Sequence, residues 1–388
     1  MSRLSIKKYV TLSSERERAI ADAEPGKNDY SFQPNELAGI LHPSVQYATI
    51  LDMKDVSRDI RLYTLAPDES RGTKVFAPFF PGQFISVRYQ IGQLLSARPY
   101  SICSSPSDPN LLIAVKAVPN GQTSLYAHEN WKPGDRLELS APMGTFGYEK
   151  LRDSKQLVCL AGGSGITPFL SMAKAFAEGE LGCESMTLFY GCRTVADAAF
   201  LDQFEKISAK TSRFRCIPVY SEERRDGSEF GLIDRSLIEK YVQGEASYFI
   251  CGPEAMKIFI MPQLAEIGVE RKFIRAEVQH GRSVLSDFPD VPKPLSGSVS
   301  IDVLTPGSSC TIQADTEKTI LDNLEENGIR PVTGCRSGVC GLCRCALLEG
   351  TVFNPDGDAM LRMGDAGYRQ IHLCRSFPLT DLKLNVCL

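Results

Sequence analysis

The run Cys335-Arg-Ser-Gly-Val-Cys340-Gly-Leu-Cys343 is followed further along the chain by Cys374. The spacing C-x4-C-x2-C with one distant cysteine brings three thiolates from a tight loop and a fourth from elsewhere. That is the arrangement of a plant-type [2Fe–2S] site. Gly338 and Gly341 let the loop turn sharply and bring backbone amides towards the sulfurs. Zinc ribbons favour two CxxC knuckles, which this spacing does not provide. Cys345 heads a strand-like run just beyond Cys343 and reads as a buried thiol rather than a ligand. Cys335, Cys340, Cys343 and Cys374 are therefore the expected metal ligands.

A second set lies upstream. Arg98-Pro99-Tyr100-Ser101 follows the strand-like FISVRYQ. The arginine can neutralise a flavin phosphate, the tyrosine can lie against a ring system, and the serine can hydrogen-bond near the reactive nitrogen. Gly121-Gln-Thr123-Ser124 then opens an apparent helix, whose first amides suit a pyrophosphate. Taken alone, a glycine turn with a helix cap explains that run equally well. Its conjunction with Arg98, Tyr100 and Ser101 favours the flavin.

A third set is glycine-rich. Ala161-Gly162-Gly163-Ser164-Gly165-Ile166-Thr167-Pro168 stands between an apolar run and an amphipathic one. Three glycines permit close approach of backbone to phosphate, and Pro168 presets a helical start. The run is not the G-x-G-x-x-G fingerprint of the ordinary dinucleotide fold. Cys251-Gly252-Pro253 ends another apolar run. Strand C-termini in open α/β sheets face the ligand crevice, so Cys251 is expected beside a nicotinamide, or else is a strand-end thiol.

These residues need elements to hold them. The 388 residues exceed one ordinary core, and 43% hydrophobic with 23% charged residues is globular usage. Residues 1–43 are polar, with SSERERAIADAE as a short helix candidate capped by Ser13 or Ser14. Residues 44–148 carry short β-rich runs punctuated by Gly and Pro, as in a small antiparallel barrel. Residues 149–283 alternate strand-like and helical runs, which implies right-handed crossovers and a parallel sheet. A proline-rich stretch, 284–297, reads as an extended linker, and 298–388 form a last unit around the cysteine cluster.

Thirteen cysteines in a chain whose opening lacks the apolar core of a secretory signal point to a reducing compartment, the cytoplasm. No run is long and apolar enough for a membrane span. A formal charge of −4 without a long basic run argues against nucleic acid as a partner.

The three sets, in this order, resemble the ferredoxin–NADP reductase superfamily, and within it the oxygenase reductases with a C-terminal plant-type ferredoxin domain, of benzoate or phthalate dioxygenase type. The resemblance spans residues 44–388 and implies a flavin-binding β-barrel, an α/β nicotinamide domain and an α+β β-grasp ferredoxin domain. It implies that Arg98, Pro99, Tyr100 and Ser101 hold the flavin, with Ser101 near its N5, helped by Val115, Lys116, Gly121, Thr123 and Ser124. Gly162, Gly163, Gly165, Thr167, Pro168, Cys251, Gly252 and Pro253 would bind the nicotinamide nucleotide, with Ser221 at the adenosine ribose. Ser101 and Cys251 would flank the reacting atoms. The intact GQTS loop favours FAD over the FMN of the phthalate type.

A nicotinamide gives up two electrons as a hydride, whereas a [2Fe–2S] cluster takes one. A flavin between them reconciles the counts. The expected activity is electron transfer from NADH or NADPH through FAD and the cluster to a separate protein, a terminal oxygenase component. A different redox enzyme as acceptor, such as a hybrid-cluster, radical or corrinoid enzyme, and a cluster-based redox sensor are the alternatives. Glu222 and Glu223, just after Ser221, disfavour a 2′-phosphate and so favour NADH over NADPH, with Arg224 and Arg225 opposing them.

Overall fold

In the computed structural model the described residues are 33–91, 94–119, 121–278, 284–288, 291–292, 297–338, 340–355, 365 and 367–387, with Arg18 and Asp22 singly. Residues 1–43 form one unit and 44–388 another. In the first, Gln33–Leu41 is a helix, α1. The helix expected over SSERERAIADAE lies outside the described residues apart from Arg18 and Asp22, which are helical.

The second unit begins with six antiparallel strands: β1 Gln46–Asp55, β2 Ile60–Pro67, β3 Phe84–Ile91, β4 Leu94–Ser101, β5 Leu111–Lys116 and β6 Arg136–Leu139. Their order is β4-β3-β6-β1-β2-β5, and a bridge from Ile102 to Ile113 nearly closes the barrel. Alternate residues such as Ala48, Ile50, Tyr63, Leu65, Ile85 and Val87 fill its interior. Helix α2, Gln122–Asn130, is pinned to the wall by Tyr63 Oη donating to Ala127 O (2.9 Å) and Tyr89 Oη to Thr123 O (2.9 Å).

The next six strands, β7 Gln156–Gly162, β8 Ser185–Cys192, β9 Phe214–Tyr220, β10 Glu229–Phe230, β11 Ser247–Gly252 and β12 Ile274–Val278, make a parallel sheet of order β10-β9-β8-β7-β11-β12. Crossover helices include α3 Thr167–Glu178, α4 Leu201–Lys210, α5 Arg235–Tyr241 and α6 Glu254–Ile267. The chain proceeds from β7 to β8 on one side and returns to β11 on the other. The C-terminal ends of β7 and β11 thus form the switch point where such sheets bind ligands.

The remaining strands, β13 Ser298–Thr305, β14 Ser308–Asp315, β15 Arg344–Glu349, β16 Val352–Phe353, β17 Gln370–His372, β18 Phe377–Pro378 and β19 Leu382–Asn385, surround helix α7, Ile320–Glu326. Five of them form a mixed sheet of order β14-β13-β19-β15-β17, with β13 and β19 parallel. Thr319 caps α7 by accepting from Asp322 N (3.1 Å).

Among the described residues at the start of the proline-rich segment the chain is not extended. Leu285–Asp287 is a 3₁₀ turn whose Leu285 is buried, and Phe288 packs edge-on to Phe377 at 5.8 Å. Burial of Leu285 and partial burial of Phe288 favour this turn over an extended chain.

Packing joins the three parts unequally. Barrel residues Ile60, Cys103, Ala114 and Phe146 share one apolar core with the parallel sheet, where Phe146 lies edge-on to Phe169 and Phe249. The last domain has an apolar core of its own around Ile301, Leu321, Leu324 and Leu373.

Candidate functional site

A single cavity of about 1430 Å³ runs across the second unit. From the barrel it is lined by Arg98, Pro99, Tyr100, Ser101, Lys116, Gly121, Thr123 and Ser124. From the parallel sheet come Gly162, Gly163, Thr167, Ser221 and Pro253, and from the last domain Cys335 and Cys374. Most residues singled out in the sequence therefore meet in one space. Val115, Gly165, Pro168, Cys251, Gly252, Cys340 and Cys343 are not among the lining residues.

The barrel side is built by β4 and the turn into α2. Arg98, Tyr100 and Ser101 stand at the end of β4, paired with Val87, Ile85 and Phe84 of β3. Burial lowers the pKa of the Arg98 guanidinium, and Arg336 nearby adds to the effect. An anion beside it would relieve both. Burial pushes the Tyr100 phenol well above its ordinary range. Gly121 is the N-cap of α2 and offers no side chain to the first amides. Ser124 Oγ, which accepts from Val118 N (3.1 Å), donates to Gly121 O (3.2 Å) and ties the turn together. Val115 faces the barrel core, and its carbonyl meets His128 Nε2 at 2.8 Å.

The crevice side explains its glycines by contact. A Cβ on Gly165 would lie 2.0 Å from the Cys251 carbonyl oxygen, and one on Gly162 would lie 2.6 Å from Met256 Sδ. Only glycine lets the ends of β7 and β11 come so close. Pro168 stands in the first turn of α3. A Cβ on Gly163 would be 3.7 Å from Lys116 Nζ, so the barrel reaches over the phosphate turn. Cys251 is fully enclosed in the shared core, and burial pushes its thiol well above the ordinary range. The thiol at this strand end is thus covered by the core, and Cys251 is not among the residues lining the cavity.

The cluster side links four sulfurs, with Cys335 in contact with Cys340 and Cys374, and Cys374 in contact with Cys343. Cys335 N donates to Cys340 Sγ (3.4 Å) and Cys340 N to Cys335 Sγ (3.3 Å), while Cys343 and Cys374 Sγ lie 3.3 Å apart. Ser337 N points at Cys335 Sγ (3.3 Å) and Gly338 N at Cys374 Sγ (3.2 Å). Gly338 and Gly341 hold φ of 80° and 71°, as the tight loop requires. Among the described residues no group of three or more His, Cys, Asp or Glu surrounds a single ion. A two-iron cluster needs none, because each iron takes two thiolates and shares bridging sulfides. Four sulfurs drawn together, with backbone amides aimed at them, fit a [2Fe–2S] group. Cys345 is buried in the domain core.

Three models of known domains match the chain in the same order. They are an oxidoreductase FAD-binding domain over residues 47–148, an oxidoreductase NAD-binding domain over 159–261, and a 2Fe-2S iron-sulfur cluster binding domain over 304–379. The chain is 30% identical over 327 residues to a component of the 1,2-phenylacetyl-CoA epoxidase of Escherichia coli K12, covering 78% of this chain and 87% of that one. The chain belongs to the ferredoxin–NADP reductase superfamily. This reductase is also 29% identical over 351 residues to the 3-ketosteroid-9-alpha-monooxygenase ferredoxin reductase component of Mycobacterium tuberculosis, covering 87% and 93% of the two chains. The crystal structure of phthalate dioxygenase reductase matches the fold with a TM-score of 0.62 at 24% identity, over 89% of this chain and 98% of that one. The reductase is thus an oxidoreductase that uses FAD, NAD(H) and a [2Fe–2S] cluster, of the oxygenase-reductase type with a C-terminal ferredoxin domain.

Glu277 and Arg193 are charged cavity residues that no motif in the sequence marks. Glu277, on β12 and in register with Cys251, lines the space next to Cys335; burial, with Cys335 adding, pushes its carboxyl up to about 7. Arg193 follows the end of β8 and lines the nucleotide side. Both sit at or just past a strand C-terminus, a position that marks the crevice of an open parallel sheet. That signal was available for the runs FYGCR and FIRAEV.

Proposed function

We propose that this reductase draws electrons from NADH and passes them singly to a separate protein, the terminal component of an oxygenase. The observation that carries the reading is the one cavity shared by the end of β4, the β7 glycine turn and two cluster cysteines. When bound, FAD turns the two electrons of a hydride into single steps, which the cluster carries one at a time.

The chain's own residues divide the task. Arg98 neutralises the flavin phosphate, the bare N-terminus of α2 with Thr123 and Ser124 holds the pyrophosphate, and Tyr100 with Pro99 lies along the ring. The Ser101 hydroxyl donates to the flavin edge. Lys116 closes the barrel side over the phosphate turn. The amides of Gly162, Gly163 and Gly165, with Thr167 and Pro168 behind them, receive the nucleotide phosphates, and Gly252 and Pro253 shape the nicotinamide slot. Ser221 meets the adenosine ribose. Cys335, Cys340, Cys343 and Cys374 would hold the two irons of the cluster.

The names of the relatives support an oxygenase as acceptor, since the mycobacterial relative is called a monooxygenase's ferredoxin reductase component. The functional parts are assigned to residues 44–148, 149–283 and 298–388. A reducing compartment suits thirteen cysteines of which none is in a disulfide, and the cytoplasm is the proposed location. No helix among the described residues is long and apolar enough to cross a membrane.

The test is anaerobic mixing of the purified protein with NADH, followed optically and by electron paramagnetic resonance. Flavin absorbance should bleach first and the reduced cluster signal should follow. A fully loaded protein whose cluster stays oxidised under excess NADH would overturn the proposal.

A further inference from the structure

The ferredoxin domain has its own apolar core, so something other than a shared core must fix its cluster loop against the barrel. Arg336, the residue after Cys335, crosses that boundary. Its Nε donates to Ala97 O on β4 at 2.9 Å, its Nη2 pairs with Glu325, and its Nη1 lies 4.0 Å from Asp322, both carboxylates belonging to α7. The side chain is 13% exposed, and the backbone holds φ of 54°, a conformation that a non-glycine residue keeps only where its surroundings over-determine it. Ala97 O also accepts from Arg98 Nη1 at 2.9 Å, so one carbonyl orients both guanidiniums.

We propose that Arg336 is a positioning residue that latches the cluster loop to β4 and so sets the gap across which electrons pass from flavin to cluster. The inference rests on the electron path proposed above. α7 holds one end of the fork through two carboxylates, and the flavin strand holds the other through Ala97. Arg336 neither gains nor loses charge during transfer. A change of gap alters the rate steeply while leaving each cofactor in place. The two guanidiniums at Ala97 repel each other, and a flavin phosphate on Arg98 offsets that repulsion. Flavin loading and loop docking therefore favour each other, and by reciprocity each strengthens the other.

The experiment compares wild-type holoprotein with Arg336→Gln and Glu325→Gln in anaerobic stopped flow with NADH. Flavin bleaching should keep its wild-type rate, while the later cluster bleaching slows about tenfold or more in Arg336→Gln and by less in Glu325→Gln. Arg336→Lys, which keeps the charge without the fork, should fall between wild type and Arg336→Gln. Iron and sulfide content and the g-values of the reduced cluster should match wild type. Amide hydrogen exchange in the same proteins should rise in both β4 and the 335–343 loop. Wild-type cluster bleaching in a fully loaded Arg336→Gln would overturn the latch. If Arg336→Gln failed to load its cluster, Glu325→Gln, which leaves the loop unaltered, would decide by the same two measurements. Should wild type itself never reduce its cluster from NADH, the proposed function would fall, and unchanged exchange in β4 would separately overturn the latch.

Discussion

Cys251 and Glu277 stand opposite each other in register on the parallel strands β11 and β12, yet only Glu277 reaches the cavity. Both lie near strand C-termini, where a crevice residue is expected. Their side chains leave the same face of the sheet, but the thiol is enclosed in the core whereas Glu277 lines the cavity that also holds Cys335. Cys251→Ala should therefore keep kcat/KM for NADH-dependent ferricyanide reduction within about threefold, and Glu277→Ala should lower it by about tenfold or more. Steady-state kinetics on both purified variants checks this. The reverse order of effects would mean that the crevice opens to Cys251 when nucleotide binds.

Choice of nucleotide depends on the turn after β9. Glu223 Oε2 accepts from Val195 N at 3.0 Å, so its carboxylate is engaged by backbone, and the Arg224 guanidinium lies 3.9 Å from the Phe230 ring centroid. Glu222 is exposed beside Ser221, which lines the cavity. This leaves Glu222 as the carboxylate free to repel a 2′-phosphate. NADH should be preferred, and Glu222→Arg should shift the ratio of kcat/KM for NADPH over NADH upward by about tenfold. A wild type that prefers NADPH by that factor would refute the argument.

Much of this site was legible in the sequence because its chemistry depends on local spacing. Three cluster cysteines share one loop, Arg98 to Ser101 occupy consecutive positions, and the glycine turn directly follows β7. Alternating apolar runs also revealed the barrel and the parallel sheet. What escaped depends on long-range packing. No spacing rule joins Arg336 to Ala97, and none predicts that Leu285 and Phe288 fold onto the ferredoxin domain. Cys251 escaped for a related reason. Periodicity placed it at a strand end, but only the tertiary core decides whether its thiol is covered.

Arg275 and Asp153 form a buried ion pair whose side chains are 7% and 0% exposed, with the Phe249 ring 4.8 Å from the guanidinium. Asp153 belongs to the connection leaving the barrel, and it also accepts from Glu149 N at 2.7 Å. The pair thus ties β12, which carries Glu277, to the start of the nucleotide domain. Arg275→Met leaves a carboxylate buried without its partner, a change that costs about 3–5 kcal/mol. Urea unfolding followed by flavin fluorescence should show the midpoint falling accordingly. A loss below about 1 kcal/mol would place the pair among those that solvent already compensates.

The order of electron flow is tested by two cysteines on either side of the ligand set. Cys340 pairs with Cys335 through reciprocal amide–sulfur contacts, whereas Cys345 packs among the apolar side chains of the domain core. Cys340→Ser removes one thiolate from an iron and should prevent stable cluster assembly, because a partly liganded cluster is not retained. Cys345→Ser should keep a full complement of iron and sulfide and lose only some stability, since it buries a hydroxyl where a thiol lay. The barrel and the parallel sheet share a core that excludes the ferredoxin domain, so flavin should stay bound in both variants. Ferricyanide is small enough to reach reduced flavin directly, whereas cytochrome c, a protein, needs the cluster as exit. Cys340→Ser should therefore retain most NADH-dependent ferricyanide reduction and lose most cytochrome c reduction, while Cys345→Ser retains both. If cytochrome c reduction continued unchanged in a Cys340→Ser protein shown to lack iron, electrons would be leaving from the flavin. The linear path through the cluster would then have to be abandoned.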